Sequence, residues 1–381
     1  MRILYHSRTR LLTHAAVGNT LLAMFRILIL TDMENLALSV LRVLGNRGSR
    51  VAVAGGGYLL RSSRHCALFS SVAADGRAMA EAGGPVLEAV ERVLRGFKPE
   101  MIVSVDVAGA YLAANLKEKI TGIPFYPSPD PAALAVMDNK WTFHEFLLKH
   151  GLPSPQTRRL ESAAVAASLP VPVVIKPLAD SGGRGVKVVR TREYLSERLK
   201  GAVFPLLAQE YIEGEDVDLS FLADHGRLLA WAVQVRSPGG VIRYIDDERA
   251  VDIGRRVAEA SSYTGLAHID MRYAGPARES IQVIECNPRF WGTYKYTLGL
   301  GISYFERGLA LLEGLEALPF ERAPTALVPG LAVTVKSMMR GRLKLPAPSR
   351  AYLRQKLGDP APEFYYGMTK LFGFGGGPDP V

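Results

Sequence analysis

From residue 26 to about residue 126, short apolar runs alternate with stretches whose apolar residues recur at helical spacing. Ile27–Leu30 and Val51–Ala54 read as buried strands, with a helix between them around Leu36–Leu44. Val86, Leu87, Val90, Val93 and Leu94 then fall on one helical stripe. Lys98-Pro99-Glu100 punctuates the chain, and Met101–Val105 resumes as a strand. Such alternation predicts a small parallel sheet with helices on both faces. No G-x-G-x-x-G follows a strand, so the pattern is not that of a dinucleotide site. Gly55-Gly56-Gly57 reads more simply as a flexible connection than as a phosphate-approaching turn.

Pro124, Pro127, Pro129 and Pro131 mark a boundary, and a helix is expected from Asn139 to His150, ended by Gly151 and Pro153. The pattern then changes. Val171–Lys176, Gly185–Val189, Leu206–Ile212, Val217–Leu222 and Leu228–Val235 read as strands, several joined by short turns, which suggests antiparallel sheet and a second kind of domain. A helix near Ala250–Tyr263 precedes two further strands, His268–Tyr273 and Ile281–Cys286. Beyond about residue 320 the chain is rich in Pro, Arg and Lys and has little periodicity. The fold class expected is α/β: a small parallel-sheet unit followed by an α+β unit with antiparallel sheets.

Composition narrows this picture without redirecting it. The 381 residues suffice for two or three packed units, and 48% hydrophobic with 22% charged residues is ordinary for a globular chain. Two cysteines, Cys66 and Cys286, are too few for a disulfide framework or a cysteine-built zinc site and fit a reducing cytoplasm. The formal charge of +9 is spread along the chain with no basic run interleaved with aromatics, so a generally basic surface is the simplest reading and nucleic acid is not expected. An acidic small-molecule substrate or membrane proximity would also suit that charge. Residues 1–23 carry Arg2, Arg8 and Arg10 before a semi-apolar stretch that loosely resembles a signal peptide. Thr13-His14 and Gly18-Asn19-Thr20 interrupt it, and two readings stay open: Met24 is the real start, or 1–23 is a loose extension. No run reaches 18 apolar residues, and no transmembrane helix is expected.

Four clusters carry candidate chemistry. Asp138-Asn139-Lys140 opens a helix and says little alone. Lys176 lies at the end of the apolar strand Val173-Val174-Ile175, and a buried ammonium needs an anionic partner. Ser181-Gly182-Gly183-Arg184-Gly185 follows, a glycine-rich turn able to bring backbone N–H groups against phosphate oxygens, although a plain hairpin turn has the same composition. Gln209-Glu210-Tyr211-Ile212-Glu213-Gly214-Glu215-Asp216-Val217-Asp218 joins two strands through an acidic turn, the kind of segment whose main chain can hold adenine, although a charged solvated hairpin has the same composition. Finally, Asp270 lies on one strand, and the next carries Glu285, Asn287 and Arg289 at two-residue spacing, so that all three can point the same way. Two carboxylates and an amide oxygen form an all-oxygen set suited to Mg²⁺, and an arginine beside them can stabilise a phosphoryl group in transfer.

In that order the four clusters resemble the ATP-grasp superfamily, over Asp138 to Thr293 with a small α/β domain before it. The Glu285-Cys286-Asn287-Pro288-Arg289 form is closer to the carbamoyl-phosphate synthetase and biotin carboxylase branch than to D-alanine ligases. The resemblance implies a pre-ATP-grasp domain over 24–130, an ATP-grasp domain of two subdomains over 131–320, and a basic, Pro-rich segment over 321–381. It implies that Lys140 and Lys176 contact ATP phosphates under a turn that includes Ser181, Gly182, Gly183 and Gly185. Glu210 and Ile212 would hold adenine through the main chain and Asp216 the ribose. Asp270, Glu285 and Asn287 would bind Mg²⁺, with Mn²⁺ as a substitute, and Arg289 would steady an acyl phosphate. His268 stands where several D-alanine-ligase-like members have an arginine.

The activity expected is a cytoplasmic carboxylate–amine ligase acting through an acyl phosphate. Arg236 is the candidate for gripping the substrate carboxylate, because its guanidinium offers a bidentate fork. His144, His225 and His268 read as structural rather than as bases. Two other readings stay open: a thiol, phosphate or sugar hydroxyl as acceptor, and a nucleotide-binding subunit without catalysis. The basic stretches Arg340–Lys344 and Arg350–Lys356 would suit weak contact with an anionic membrane surface, and a homo-oligomer is compatible with everything above.

Overall fold

The computed structural model describes residues 3–4, 25–72, 76–166, 168–179, 183–237, 240–314, 321–329, 336, 339–341 and 345–372. The first unit contains β1 (Ile3–Leu4), β2 (Arg26–Thr31), α1 (Glu34–Asn46), β3 (Arg50–Gly55), β4 (Cys66–Ser71), α2 (Gly76–Ala80), α3 (Gly84–Phe97), β5 (Met101–Ser104), α4 (Val107–Lys117) and β6 (Ile120–Thr121). Four of its strands form a parallel sheet in the order β4-β3-β2-β5. Alternate side chains of β2 feed opposite cores. Ile27 and Ile29 pack with Leu41 and Leu44 of α1, whereas Leu28 and Leu30 pack with Val90 of α3 and Leu112 of α4. α4 and the edge strand β4 escape the sequence pattern because the helix has a weakly polar face and the strand exposes two adjacent apolar residues, Ala67 and Leu68, while burying Ser70. The carboxylate of Asp106 caps α4 through Gly109 N–H (2.8 Å) and also accepts from Thr31 Oγ1 and the N–H groups of Asp32 and Met33 at 2.6, 2.7 and 2.8 Å. One buried carboxylate thus ties the ends of β2 and β5 together.

Next come α5 (Pro131–Asp138), α6 (Lys140–Lys149), β7 (Thr157–Leu160), α7 (Ala163–Ala166), β8 (Val173–Pro177), β9 (Lys187–Val189), α8 (Arg192–Leu199) and β10 (Leu206–Glu210). An antiparallel sheet ordered β7-β10-β8-β9 closes over a core of its own that includes Leu160, Ile175, Val189, Leu195 and Leu199. The Asn139 side chain caps α6 through Trp141 N–H at 2.9 Å.

The large sheet uses β11 (Asp216–Asp224), β12 (Arg227–Ser237), β13 (Val241–Ile245), β14 (Gly265–Ala274), β15 (Ser280–Asn287), β16 (Glu321–Arg322) and β17 (Ala326–Pro329). Its order is β15-β14-β11-β12-β13-β17, with β16 pairing β12. Helix α9 (Glu248–Ala260) covers one face, where Val217, Leu219, Phe221, Val233 and Ile269 are buried. The opposite face is divided. Leu222, Ala230, Ala232 and Leu266 join the core shared with α1, with Phe290 and Trp291, and with Tyr304 and Phe305 of α11 (Tyr304–Leu312). The other end of that face is polar and forms the site described below. A 3-10 turn over Gly292–Tyr296 leads into α10 (Thr297–Leu300).

The region after residue 320 has more order than its weak periodicity suggests. β17 pairs with β13, and helix Ala347–Gly358 packs against α10 and the 3-10 turn. Part of the basic stretch proposed for membrane contact therefore belongs to the packed fold; residues 342–344 of it lie outside the described residues. Among the described residues no helix is long and apolar enough to cross a membrane. The proposed extension, apart from residues 3–4, also lies outside them, and both cysteines are free.

Candidate active site

Four adjacent strands of the large sheet carry polar residues in one row. Glu285 on β15 pairs with Asp270 on β14, Asp270 with Asp218 on β11, and Asp218 with Gln234 on β12. In the neighbouring row Asn287 opposes His268, which opposes Ser220. Residues two apart share a face, so the two rows form one polar surface on the side away from α9.

Strand β15 ends at Asn287, so Arg289 is not a third member of its alternation, as the spacing alone suggests. Pro288 has no N–H to continue the ladder. Arg289 instead folds back, its N–H donating to Asn287 O at 2.8 Å and its Nη2 to Asn287 Oδ1 at 2.7 Å. Burial lowers its pKa, opposed by the charges of Asp106, Asp270, Asp138 and Glu285. The guanidinium is thus within electrostatic reach both of Asp106, which follows β5, and of the polar row.

Asn287 Nδ2 donates to Asp270 Oδ2 at 2.7 Å. Asp270, Glu285 and Asn287 offer oxygen donors from two paired strands, a set that fits a hard divalent cation. Asn287 would join such a cation by turning its amide oxygen from Arg289 toward Asp270. Burial would raise the Asp270 pKa, but His268, Arg236 and Arg289 together hold it below the ordinary carboxylate value.

Two lysines approach Glu285 and its strand. Lys140, at the start of α6 and 7% exposed, puts Nζ 3.4 Å from Glu285 Oε2. Lys176, on β8 and 2% exposed, donates to Gln209 Oε1 at 2.8 Å and to the Ile284 carbonyl at 3.4 Å. Its position follows from register: Lys176 pairs with Leu207 on β10, and Gln209 is held in turn by donating to Thr157 Oγ1 at 3.0 Å. Burial pushes the Lys176 ammonium down to about 8, against the pull of Glu285 and Asp270.

After Lys176, Gly183 and Gly185 take φ of +69° and +73°, the left-handed region that favours glycine. Ser181 and Gly182 lie outside the described residues. Between β10 and β11 the chain passes from the small sheet to the large one. Glu210 N–H donates to Gln156 O at 2.8 Å, while Ile212 lies in the linking segment between the strands. Tyr211 is held between the guanidinium groups of Arg190 and Arg272, 5.0 and 5.7 Å from its ring centre. Gly214 could not be replaced without movement, since a Cβ there would lie 1.9 Å from Tyr273 O. Asp216 is half exposed and pairs with Arg272 at 3.3 Å.

Arg236 Nε lies 3.0 Å from Asp218 Oδ2, which also accepts from Gln234 Nε2 at 2.8 Å. Asp218 closes the third sequence cluster but was given no role there, and Gln234 was given none either. The available signal was the one that marked Lys176: a charged group inside an apolar strand, here Val217-Asp218-Leu219. Burial pushes the Asp218 carboxyl up to about 6, reinforced by Asp270 and opposed by His268 and Arg236. His268 joins the cluster, with Nδ1 2.7 Å from Ser220 Oγ, Nε2 3.4 Å from Asp270 Oδ1 and the Trp291 ring stacked on it. His144 sits apart with its Nδ1 2.8 Å from Ser154 Oγ, and His225 is exposed at a turn beside Asp224.

Residues 137–293 match the family described as the ATP-grasp domain. The D-alanine–D-alanine ligase of Chromohalobacter salexigens is 27% identical over 182 residues, covering 40% of this chain and 56% of that enzyme. The mitochondrial arginine-specific carbamoyl phosphate synthase large chain of Neurospora crassa is 24% identical over 255 residues, covering 59% and 22% respectively. The chain thus spans about half, or less, of the length of these relatives. Among solved structures, N5-carboxyaminoimidazole synthetase from Staphylococcus aureus complexed with ADP superposes with a TM-score of 0.64. The superposition covers 84% of this chain and 87% of that one at 14% identity, a likeness of fold.

Proposed function

We propose that this chain, whose residues 137–293 are an ATP-grasp domain, is an ATP-dependent carboxylate–amine ligase that works through an acyl phosphate. The observation that carries the proposal is the convergence of Lys140, Lys176 and Arg289 on the oxygen row of Asp270, Glu285 and Asn287. In this reading residues 131–320 are the catalytic unit, preceded by a small α/β unit over 24–130 and followed by the segment 321–381.

Lys140 and Lys176 neutralise nucleotide phosphates beneath the turn of Ser181, Gly182, Gly183 and Gly185. The main chain at Glu210 and Ile212 holds adenine and Asp216 the ribose. Asp270, Glu285 and Asn287 hold Mg²⁺, or Mn²⁺ in its place, which when bound offsets charge on the phosphate oxygens. Arg236 orients the substrate carboxylate, one oxygen of which attacks the γ-phosphorus as ADP leaves. Arg289 stabilises the charge of the transferring group. An amine then attacks the acyl carbon, phosphate leaves and the nitrogen gives up its proton. Positioning supplies most of the acceleration in such a reaction. The relative named D-alanine–D-alanine ligase supports an amine acceptor. Free cysteines and the lack, among the described residues, of a membrane-crossing helix accord with a cytoplasmic enzyme. A panel of carboxylates paired with amines, read by ADP release, tests the reading; ADP release that ignores both would contradict it.

Lys176 supplies a pH signature. Phosphate oxygens favour its charged form, so ADP affinity should be level below about pH 7 and fall as the pH rises through the free-enzyme value near 8. Lys176→Met should weaken ADP binding and flatten that dependence. Calorimetric titrations between about pH 6.5 and about 9.5 check both.

A further inference from the structure

The 3-10 turn over Gly292–Tyr296 follows Arg289, Phe290 and Trp291, and Thr293 Oγ1 fastens it to the polar face by donating to Gln234 Oε1 at 2.8 Å. Gln234 and Arg236 both donate to Asp218, so the turn, β12 and the oxygen row form one hydrogen-bonded unit. Lys295 sits on that turn. Its ammonium lies over the rings of Tyr296 and Tyr352, 5.5 and 5.2 Å from their centres, and within the electrostatic reach of Arg236.

Charges around it are otherwise matched. Arg236 pairs with Asp218 at 3.0 Å, Lys356 with Glu363 at 2.8 Å, and Arg42 with Asp359 and Glu363 at 3.0 Å each. Among the described residues Lys295 has aromatic faces around it and no carboxylate within ion-pairing distance. Burial and the neighbouring Lys356 and Arg236 lower its pKa, against the more distant Glu363. A partly buried ammonium flanked by cations is unfavourable in the empty site and is relieved by an anion. Tyrosine faces attract a cation but cannot cancel its charge.

We propose that Lys295 grips a second anionic group on the substrate, beside the carboxylate that Arg236 holds for activation, so that the substrate is at least a dianion: one carboxylate to be activated at Arg236 and one carboxylate or phosphate held at Lys295. This rests on the ligase reading and deepens it. Arg236 is half exposed and offers a planar fork, while Lys295, on the turn that Thr293 fastens to Gln234 of the same strand, offers a point charge; one donor for each anionic group suits a dicarboxylate. The aromatic pair, with rings 5.3 Å apart at 75°, holds the lysine stem so that the charge is presented with little rotamer freedom to lose.

The test is calorimetric titration of the full chain with malonate, succinate and glutarate, and with the matching monocarboxylates. Each titration is run with and without a saturating non-hydrolysable ATP analogue and Mg²⁺. At least one dicarboxylate should bind about tenfold more tightly than its monocarboxylate, and Lys295→Met should remove that preference while Lys295→Arg keeps most of it. Equal affinity for both classes, no dicarboxylate binding, or an unchanged preference in Lys295→Met would overturn the proposal. Failure of the ATP analogue itself to bind would instead overturn the ligase reading. Inorganic phosphate is titrated in the same way: where dicarboxylates bind but phosphate binds more tightly, and that preference is lost in Lys295→Met, the proposal holds with a phosphate as the second group.

Discussion

Glu285→Gln should lower ATP turnover by about a thousandfold, equivalent to roughly 4 kcal/mol of lost transition-state stabilisation. Gln keeps the shape of the side chain but removes the charge that faces Asp270 across the β14–β15 pair and lies 3.4 Å from Lys140 Nζ. The loss therefore has two parts. A cation would keep one carboxylate and two amides where it had two carboxylates and one amide, and the buried Lys140 and Lys176 would lose their nearest shared counter-charge. Glu285 lies at the edge strand of the sheet and is partly exposed, so the fold should tolerate the change, with a thermal midpoint near that of the wild type. Steady-state ADP release across a Mg²⁺ titration checks this. Unchanged turnover at low Mg²⁺ would remove Glu285 from the proposed metal set.

Arg42→Ala should destabilise the protein by about 3–5 kcal/mol, the usual consequence of leaving one member of a buried ion pair without the other. Arg42 on α1 and Asp359 after helix Ala347–Gly358 have side chains 3% and 1% exposed, with Nε and Oδ2 at 3.0 Å. Arg42 Nη2 also donates to the Asp359 carbonyl at 2.7 Å. Asp359 accepts further from Ser63 Oγ at 2.7 Å and from Arg64 N–H at 2.9 Å. Removing the guanidinium strands a carboxylate in a buried place and loosens the C-terminal helices from the first unit. Those helices bring Tyr352 over Lys295, so the change should also weaken substrate binding. Burial would raise the Asp359 pKa, but the bonds from Ser63, Arg64 and Arg42 outweigh it and hold it low. The stabilisation is thus fully present above the unfolded value of about 3.9 and fades as the pH falls below it through the depressed folded value. Urea unfolding curves at neutral and acid pH check both the size and the sign. A loss under about 1 kcal/mol would mean that the pair is replaceable.

What could be read from the chain alone follows how local each signal is. Lys176 was legible because an ammonium inside Val173-Val174-Ile175 contradicts its surroundings. Glu285 and Asn287 were legible because strand alternation puts residues two apart on one face. The same alternation misled at Arg289, where Pro288 ends the ladder and the guanidinium returns by a turn. Asp218 carried the same local contradiction as Lys176, but its part in the row depends on the register of three neighbouring strands. The Arg42–Asp359 pair joins residues 317 apart, and nothing near either one announces the other. Lys295 reads as an ordinary surface lysine until helix Ala347–Gly358 brings Tyr352 over it.

The β2–β5 alternation and the antiparallel strands after residue 170 were visible as apolar periodicity, whereas short or two-sided elements such as β4, β13 and α4 were not. The weak periodicity after residue 320 has a physical source as well. Its strands and helices are stabilised by docking on β12, β13, α1 and the 3-10 turn, not by an amphipathic pattern of their own.

Carboxylate activation is tested most directly by the fate of a carboxylate oxygen. The full chain is incubated with ATP, Mg²⁺, an amine and a panel of carboxylates bearing heavy-oxygen label, and the released inorganic phosphate is analysed by mass. An acyl phosphate requires one labelled oxygen to pass from carboxylate to phosphate in each turnover, with Glu285→Gln releasing almost none. Phosphate released without label, while ADP forms at an undiminished rate, would contradict activation of a carboxylate.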